Sequence, residues 1–409
     1  MSDIFDVLVV GGGPVGACAA ALLVRGSRDN IAPLRVCVLE PNRPAPPPQG
    51  SALESRVVAV SRASERILGA ANAWERVLGP RVAAYERMRI WHESFPPSSP
   101  GALVFDAADV GEPNLGYIVE NRLLQAALLD EVANLGGHIE PAGLLGLRVG
   151  SDCVTVETSS GSLAAKLVIG ADGAKSAVRQ LLGLTADVAD YRQTAIVATV
   201  ATERPHEKTA WQRFMRTGTL AFLPLADGAS SIVWSADNDL ATALVGSSAA
   251  EFAAELDRAS DLALGSTRLL SGRVAFPLQR LAAHRYVAHR CALIGDAAHV
   301  VHPLAGQGVN LGLLDAAALA ELILGARRER EDPGALRVLR RYERWRKSEV
   351  AFMSTAISAF DRFLAHGSGP LSRLAQRGLG VVNRSQEIKR FFVSRALGVA
   401  GELPRSARP

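Results

Sequence analysis

Apolar residues follow two rhythms along this chain. The runs "IFDVLVV" (4–10), "LRVCVLEP" (34–41), "AKLVIGADG" (165–173) and "CALIGDAAH" (291–299) are short and rich in aliphatic residues. Such runs predict strands buried on both faces. The first passes through a glycine cluster into the helical "VGACAAALLVRG" and then reaches the second, a strand–helix–strand unit that opens a parallel sheet.

The middle of the chain reads differently. "YERMRIWHE", "ALVFDAA" and "TLAFLPLADGASSIVWSA" predict antiparallel strands, the last stretch a hairpin turning at Asp227-Gly228. Between these stretches, 121–137 is an amphipathic helix ended by glycines, and the proline-rich 41–50 is a loop. From about 335 the chain reads as mostly helical and basic to its end. Because parallel-type segments recur three times around antiparallel ones, the expected organisation is two interwoven domains. One comprises 1–80, 119–185 and 284–334; the other, 81–118 and 186–283, is built on an antiparallel sheet; 335–409 forms a C-terminal helical region. The fold class is α/β.

Composition narrows the function. With 48% hydrophobic and 21% charged residues the 409-residue chain has ample material for a core. Its net charge of +4 suits an anionic cofactor, a membrane surface or nucleic acid. Aromatics are only 5%, with no basic run interleaved among them, which sets nucleic acid aside. Cys18, Cys37, Cys153 and Cys291 are scattered, as expected of reduced thiols in a cytoplasmic protein. No clustered metal ligands stand out, and no uninterrupted apolar run reaches the length of a bilayer span.

Three stretches carry the chemistry. Gly11-Gly12-Gly13-Pro14-Val15-Gly16 fits G-x-G-x-x-G between a strand and a helix. There the backbone turns tightly and offers helix N–H groups to a pyrophosphate, so Gly11, Gly13, Pro14, Val15 and Gly16 are candidate cofactor residues. Glu40 ends the second strand, 24 residues beyond Gly16, placed for a ribose hydroxyl. A carboxylate there repels a 2′-phosphate, which leaves FAD or NAD as the resident. The second stretch, "ADGAKSAVR", holds Asp172 and Arg179, which either link the cofactor to the incoming nicotinamide or tie the local strand–turn–helix together. The third is "LIGDAAHVVHPLAGQGVNLGLLDA" (293–316). Gly295 and Asp296 close a strand, where a carboxylate can hold a sugar-alcohol chain. Pro303, Gly306, Gln307, Gly308, Val309 and Asn310 then leave a bare backbone before a helix, suited to a flat isoalloxazine ring.

In this order the three stretches resemble the single-component FAD-dependent aromatic hydroxylases related to para-hydroxybenzoate hydroxylase. His302-Pro303-Leu304-Ala305-Gly306-Gln307-Gly308-x-Asn310-x-Gly312-x-x-Asp315 is similar at every fixed position to the signature of their ubiquinone-biosynthesis branch, and "GYIVENRLLQAAL" and "AFLPLADG" fit as well. The resemblance implies a Rossmann-like FAD domain interwoven with a substrate domain. It also implies a reaction in which NAD(P)H reduces FAD, O2 yields a C4a-hydroperoxyflavin, and the ring of a polyprenyl phenol is hydroxylated. It implies Arg56 as a contact of the flavin nucleotide, although Glu54 stands where relatives carry Asp. The arginine that opens the next helix in many relatives is replaced here by Asn121, with Arg122 one step on.

His302 and Pro303 are expected beside the flavin; His302, like His299, reads more simply as a structural hydrogen-bonder than as a proton shuttle. Tyr191, Trp211 and Phe222 either line a substrate site or are plain core. "QEIKRFFVSRALG" (386–398) is basic and amphipathic, suited to the periphery of the inner membrane, to a partner in a biosynthetic complex, or to its own domain. A flavin reductase without oxygen insertion and a non-catalytic FAD-binding subunit remain alternatives.

Overall fold

The computed structural model describes residues 4–27, 33–48, 50–302, 306–365, 397–398 and 401–409. An eight-stranded sheet is built on the four unbroken apolar runs. Phe5–Val10 lies at its centre, pairing in parallel with Val36–Leu39 on one side and Gly161–Gly170 on the other. His138–Glu140 and Cys291–Leu293 extend the parallel order outward. Val7–Val10 and Val36–Leu39 are buried on both faces, which is why these strands read as continuous apolar runs.

Connections leave the central strand in opposite directions. The carboxyl ends of Val10, Leu39, Gly170 and Leu293 therefore share one edge, flanking the crevice where doubly wound sheets bind their ligands. All three chemistry-bearing stretches begin at that edge. Helix Pro14–Gly26 packs against helix Gln307–Arg328, and a Cβ on Gly26 would lie 2.4 Å from Leu324. By length and composition Gly308–Arg328 would pass as a membrane span, unlike anything the unaided sequence suggested. Most of it is buried inside the protein, as befits a core helix.

The second sheet has nine strands and is antiparallel except where Thr209–Met215 runs parallel to Arg87–His92. Gly218–Pro224 and Ser230–Asp237 form the expected hairpin, with Asp227 Oδ1 accepting from Ala229 N–H and Gly228 at φ +86°. His299–Val300 joins this sheet only six residues after the parallel strand Cys291–Leu293 ends. The stretch around Asp296 therefore bridges the two sheets. A third sheet, Val57–Ser61 with Gly116–Glu120 and Ala83–Tyr85, takes strands from both sides of the expected domain bounds near 80 and 119.

Among the described residues beyond helix Leu336–Ala365 no further α-helix stands. Gly401–Pro409 contains only the short 3-10 turn Arg405–Ala407, with Gly401 at φ +100° and Pro404 unable to continue a helix. It is held by Trp345 Nε1 donating to Glu402 O at 2.8 Å and by Arg405 N donating to Glu321. The stretch 386–396 lies outside the described residues. Leu397, placed on that segment's apolar face, is buried against Ala59, Tyr85 and Ile118 of this same chain.

All four cysteines are free. Burial pushes the Cys18, Cys37 and Cys291 thiols up to about 12, with the Glu140 charge adding to the effect at Cys37. Iodoacetamide at pH 8 should therefore label native protein at half-buried Cys153 alone and all four after unfolding, as read by mass spectrometry of peptides.

Candidate functional site

Each turn at the sheet edge is held by contacts that only small residues allow. Gly11, at φ +100°, donates its N–H to Leu39 O at 2.9 Å. A Cβ on it would fall 2.5 Å from Ala171 O, and one on Gly16 only 2.0 Å from Gly11 O, so the loop folds onto itself and onto the second stretch. Gly13 differs: at φ −60°, ψ 172°, its Cβ position meets no protein atom within 4 Å. Pro14 opens the helix, where its missing N–H costs nothing.

Glu40 brackets this loop, its two oxygens accepting from Gly12 N–H and Asn42 N–H at 2.9 Å each. Each carboxylate oxygen has two acceptor positions, so capacity for a sugar hydroxyl remains. Val15 marks the convergence of the first and third stretches. A Cβ on Gly295 would lie 3.1 Å from the Val15 side chain, and one on Gly312 would lie 2.6 Å from it.

Asp172 is engaged locally, one bond to each oxygen as in Glu40: Oδ1 accepts from Ser176 Oγ at 2.6 Å and Oδ2 from Val178 N–H at 3.0 Å. Buried Arg179 donates to Ala174 O and Ala297 O, each at 2.7 Å, thereby tying the second stretch to the third. These contacts perform the structural role of the pair, and Asp172 keeps acceptor capacity for the other.

Asp296 is accessible to solvent yet hemmed in by surrounding protein, the situation of a carboxylate in a cleft. Desolvation raises its pKa above the usual carboxylate range, opposed by His299 and by the charge of Arg56. Arg56 is itself exposed; its carbonyl accepts from Asn121 N–H, but its guanidinium makes no hydrogen bond or ion pair among the described residues and stays unspent toward the same space. Beneath the turn, fully buried Asp315 accepts from Gly295 N–H at 3.0 Å, His299 Nε2 at 2.6 Å and Arg346 Nε at 2.7 Å. Tyr342 Oη adds a bond to Leu293 O. His299 is thus a structural hydrogen-bonder.

Gly306, at φ +64°, caps helix Gln307–Arg328, and a Cβ there would press on Ala59 at 2.9 Å. Gly308 resembles Gly13 in that its Cβ position is open, and Val309 is half-buried. The Asn310 side chain is buried and consumed within the protein. Oδ1 accepts from Ser61 N–H and Ser64 Oγ, while Nδ2 donates to Ala59 O and Gly306 O. An amide satisfied on both ends positions the helix opening and leaves ligand contact to the backbone. Pro303 and the Gln307 side chain lie outside the described residues. His302 is buried, donating from Nε2 to Gln193 Oε1 at 3.3 Å, with Tyr191 edge-on at 4.8 Å. Phe222 is core, and Trp211 meets Trp91 edge-on with the Arg89 guanidinium over its ring.

Several positioning residues carried no assigned role in the sequence reading. Arg81 grips buried Glu120 through two bonds of 2.7 Å and also donates to Ser51 O and Ala52 O, fixing the approach to Arg56. Arg122 sits on the outer side of that loop, bonded to Glu54 and Ala45 O. Arg346 had one detectable signal: it occupies the buried row Val338, Leu339, Tyr342, Val350 of its helix, where a charge demands a partner.

A model of a FAD binding domain family matches residues 148–353. A ubiquinone hydroxylase of Rhodospirillum rubrum is 36% identical over 98% of this chain and 92% of its own length. A 3-demethoxyubiquinol 3-hydroxylase of Escherichia coli is 35% identical over 96% and 98%. The fold is similar to that of p-nitrophenol 4-monooxygenase from Pseudomonas putida, with a TM-score of 0.75 at 22% identity, covering 97% of this chain and 99% of that one. With glycine loops, paired turns and bare helix opening converging on one sheet edge, and with full-length relatives of this kind, the chain belongs to the FAD-dependent hydroxylases of ubiquinone biosynthesis.

Proposed function

We propose that this protein is an FAD-dependent, NAD(P)H-consuming monooxygenase that hydroxylates the aromatic ring of a phenolic, polyprenyl-bearing intermediate of ubiquinone biosynthesis. The observation that carries the reading is the open cradle: room at Gly13 and Gly308, and between them the accessible but enclosed Asp296 facing Arg56. These features fit a dinucleotide carrying a flat ring. Gly11–Gly16 would receive the pyrophosphate on the N-terminus of helix Pro14–Gly26. Glu40 would take ribose hydroxyls, and Asp296 the hydroxyls of the ribityl chain.

The backbone of 306–309, at the N-terminus of a 22-residue helix, would present N–H groups and positive dipole to the polar edge of the ring. Arg56 would meet the nucleotide from the opposite wall. When bound, FAD supplies the redox chemistry with NAD(P)H and O2 that no side chain of this protein provides. The protein's own task is to hold the ring, exclude water and place an electron-rich phenol within reach. The nine-stranded sheet, joined to the Asp296 turn through His299–Val300, is the surface proposed to hold that phenol.

Under ¹⁸O2, flavin-loaded protein given NAD(P)H and a short-chain prenyl phenol should yield product bearing one labelled oxygen. NAD(P)H oxidation with unlabelled or unchanged phenol would defeat the assignment. The proposed nucleotide contact makes its own prediction. Arg56→Ala should weaken FAD binding by about 10-fold, the scale of one charge-assisted contact, with apoprotein stability unchanged because the guanidinium makes no hydrogen bond or ion pair among the described residues.

A further inference from the structure

The long strand Ala186–Thr202 is interrupted in a way its neighbours are not. It pairs with Val274–Ala283 through Asp190↔Gln279 and resumes at Thr194↔Pro277. Tyr191, Arg192 and Gln193 thus stand opposite the single residue Leu278. Arg192 occupies the left-handed region at φ +55°, unfavourable for a side chain with a Cβ, and Asp190 Oδ1 holds its N–H at 2.7 Å. Bulges of this kind re-aim side chains, often beside active sites. Here the two residues flanking Arg192 converge on one target. Tyr191 packs edge-on against His302 at 4.8 Å, and Gln193 Oε1 accepts from His302 Nε2 at 3.3 Å. Gln193 keeps its pairing with Asp237 on the other side of the strand, so its grip is anchored in the middle of the nine-stranded sheet. His302 lies four residues before the Gly306 cap of helix Gln307–Arg328.

We propose that Tyr191 and Gln193 are positioning residues: the strained bulge exists to clamp His302, and so fixes the cofactor-facing helix opening relative to the antiparallel sheet. An amide oxygen can only accept, so the contact also sets His302 Nε2 as the protonated ring nitrogen. The role rests on the hydroxylase reading, in which this clamp sets the distance between ring and phenol.

The test compares Gln193→Leu, which removes the acceptor, with Gln193→Glu, which restores one at the same reach, in full-length protein titrated with FAD. Gln193→Leu should shift the visible absorption bands of bound flavin and weaken FAD binding by about 5-fold, a hydrogen bond's worth. Gln193→Glu should return both toward the wild type. In turnover with a phenol, the leucine variant should divert NAD(P)H to hydrogen peroxide while KM for NAD(P)H stays unchanged. Folded Gln193→Leu protein with wild-type bands and affinity would overturn the proposal. Should that variant fail to fold, Tyr191→Leu must give the same band shift, and Arg192→Gly, which keeps the bulge and relieves its strain, must not. The reverse pattern would equally refute it. Because the bands are read without turnover, a wild type that hydroxylates no phenol would sink the hydroxylase reading and leave the clamp to be judged separately.

Discussion

Gly13→Val should give a protein that folds and melts like the wild type but no longer retains FAD. The two halves of this result have separate causes. Gly13 has φ −60° and ψ 172°, a conformation open to any L residue, and a Cβ built there meets no protein atom within 4 Å. The apoprotein therefore gains a side chain at no steric cost. That same empty volume lies over the N-terminus of helix Pro14–Gly26, where a pyrophosphate must approach within hydrogen-bonding distance of the backbone. A branched side chain there holds the phosphates away, and affinity should fall by about 100-fold or more, on the order of 3 kcal/mol. Gly16→Ala is the contrasting case. Its methyl would sit 2.0 Å from Gly11 O, so the loop itself must deform and both stability and binding should suffer. Thermal melts of apoprotein, paired with flavin fluorescence titrations, separate the two variants. Wild-type affinity in Gly13→Val would remove the first glycine stretch from the site.

How much of this could be read beforehand follows from where the information lies. The parallel strands were legible because burial on both faces leaves an unbroken apolar run, and the 218–237 hairpin because Asp-Gly announces its turn. The third sheet was not, since Val57–Ser61 and Ala83–Tyr85 are short and each finds its partner in Gly116–Glu120, far along the chain. Nothing in "DYRQTA" announces that two residues will be extra relative to a strand some 85 positions later. The glycines were legible in the site because steric demand restricts residue type. Asn310 lies in a stretch read for its bare backbone, and only the fold reveals that Ser61, Ser64 and Ala59 consume its side-chain amide. Arg346 is the extreme case, a buried cation whose acceptor lies 31 residues away on another helix.

Arg346→Met should accordingly be among the most destabilising substitutions outside the cofactor cradle. Asp315 and Arg346 are 0% and 2% exposed, and removing the guanidinium leaves a buried carboxylate short of one of its two cationic partners, at a cost of about 3–5 kcal/mol. A second substitution at Asp315 to an apolar residue should not rescue it, as it does for some isolated buried pairs, because Gly295 N–H and His299 Nε2 would then lose their acceptor too. The dependence on pH carries a definite sign. Burial pushes the Asp315 pKa up, but the charges and hydrogen bonds of His299 and Arg346 outweigh it and hold the carboxyl below its ordinary 3.8. A depressed folded-state pKa contributes stability that is fully present above the unfolded value and is lost as pH falls through the folded one. Wild type should therefore lose this contribution only below pH 3.8. In the variant one of the two opposing charges is gone, so burial weighs more heavily and Asp315 takes up its proton at higher pH, which relieves the buried charge. Urea midpoints should then differ most near neutrality and converge as the medium is acidified. A gap that stayed constant from pH 7 to the acid limb would mean that lost packing, and not the unpaired carboxylate, accounts for the damage.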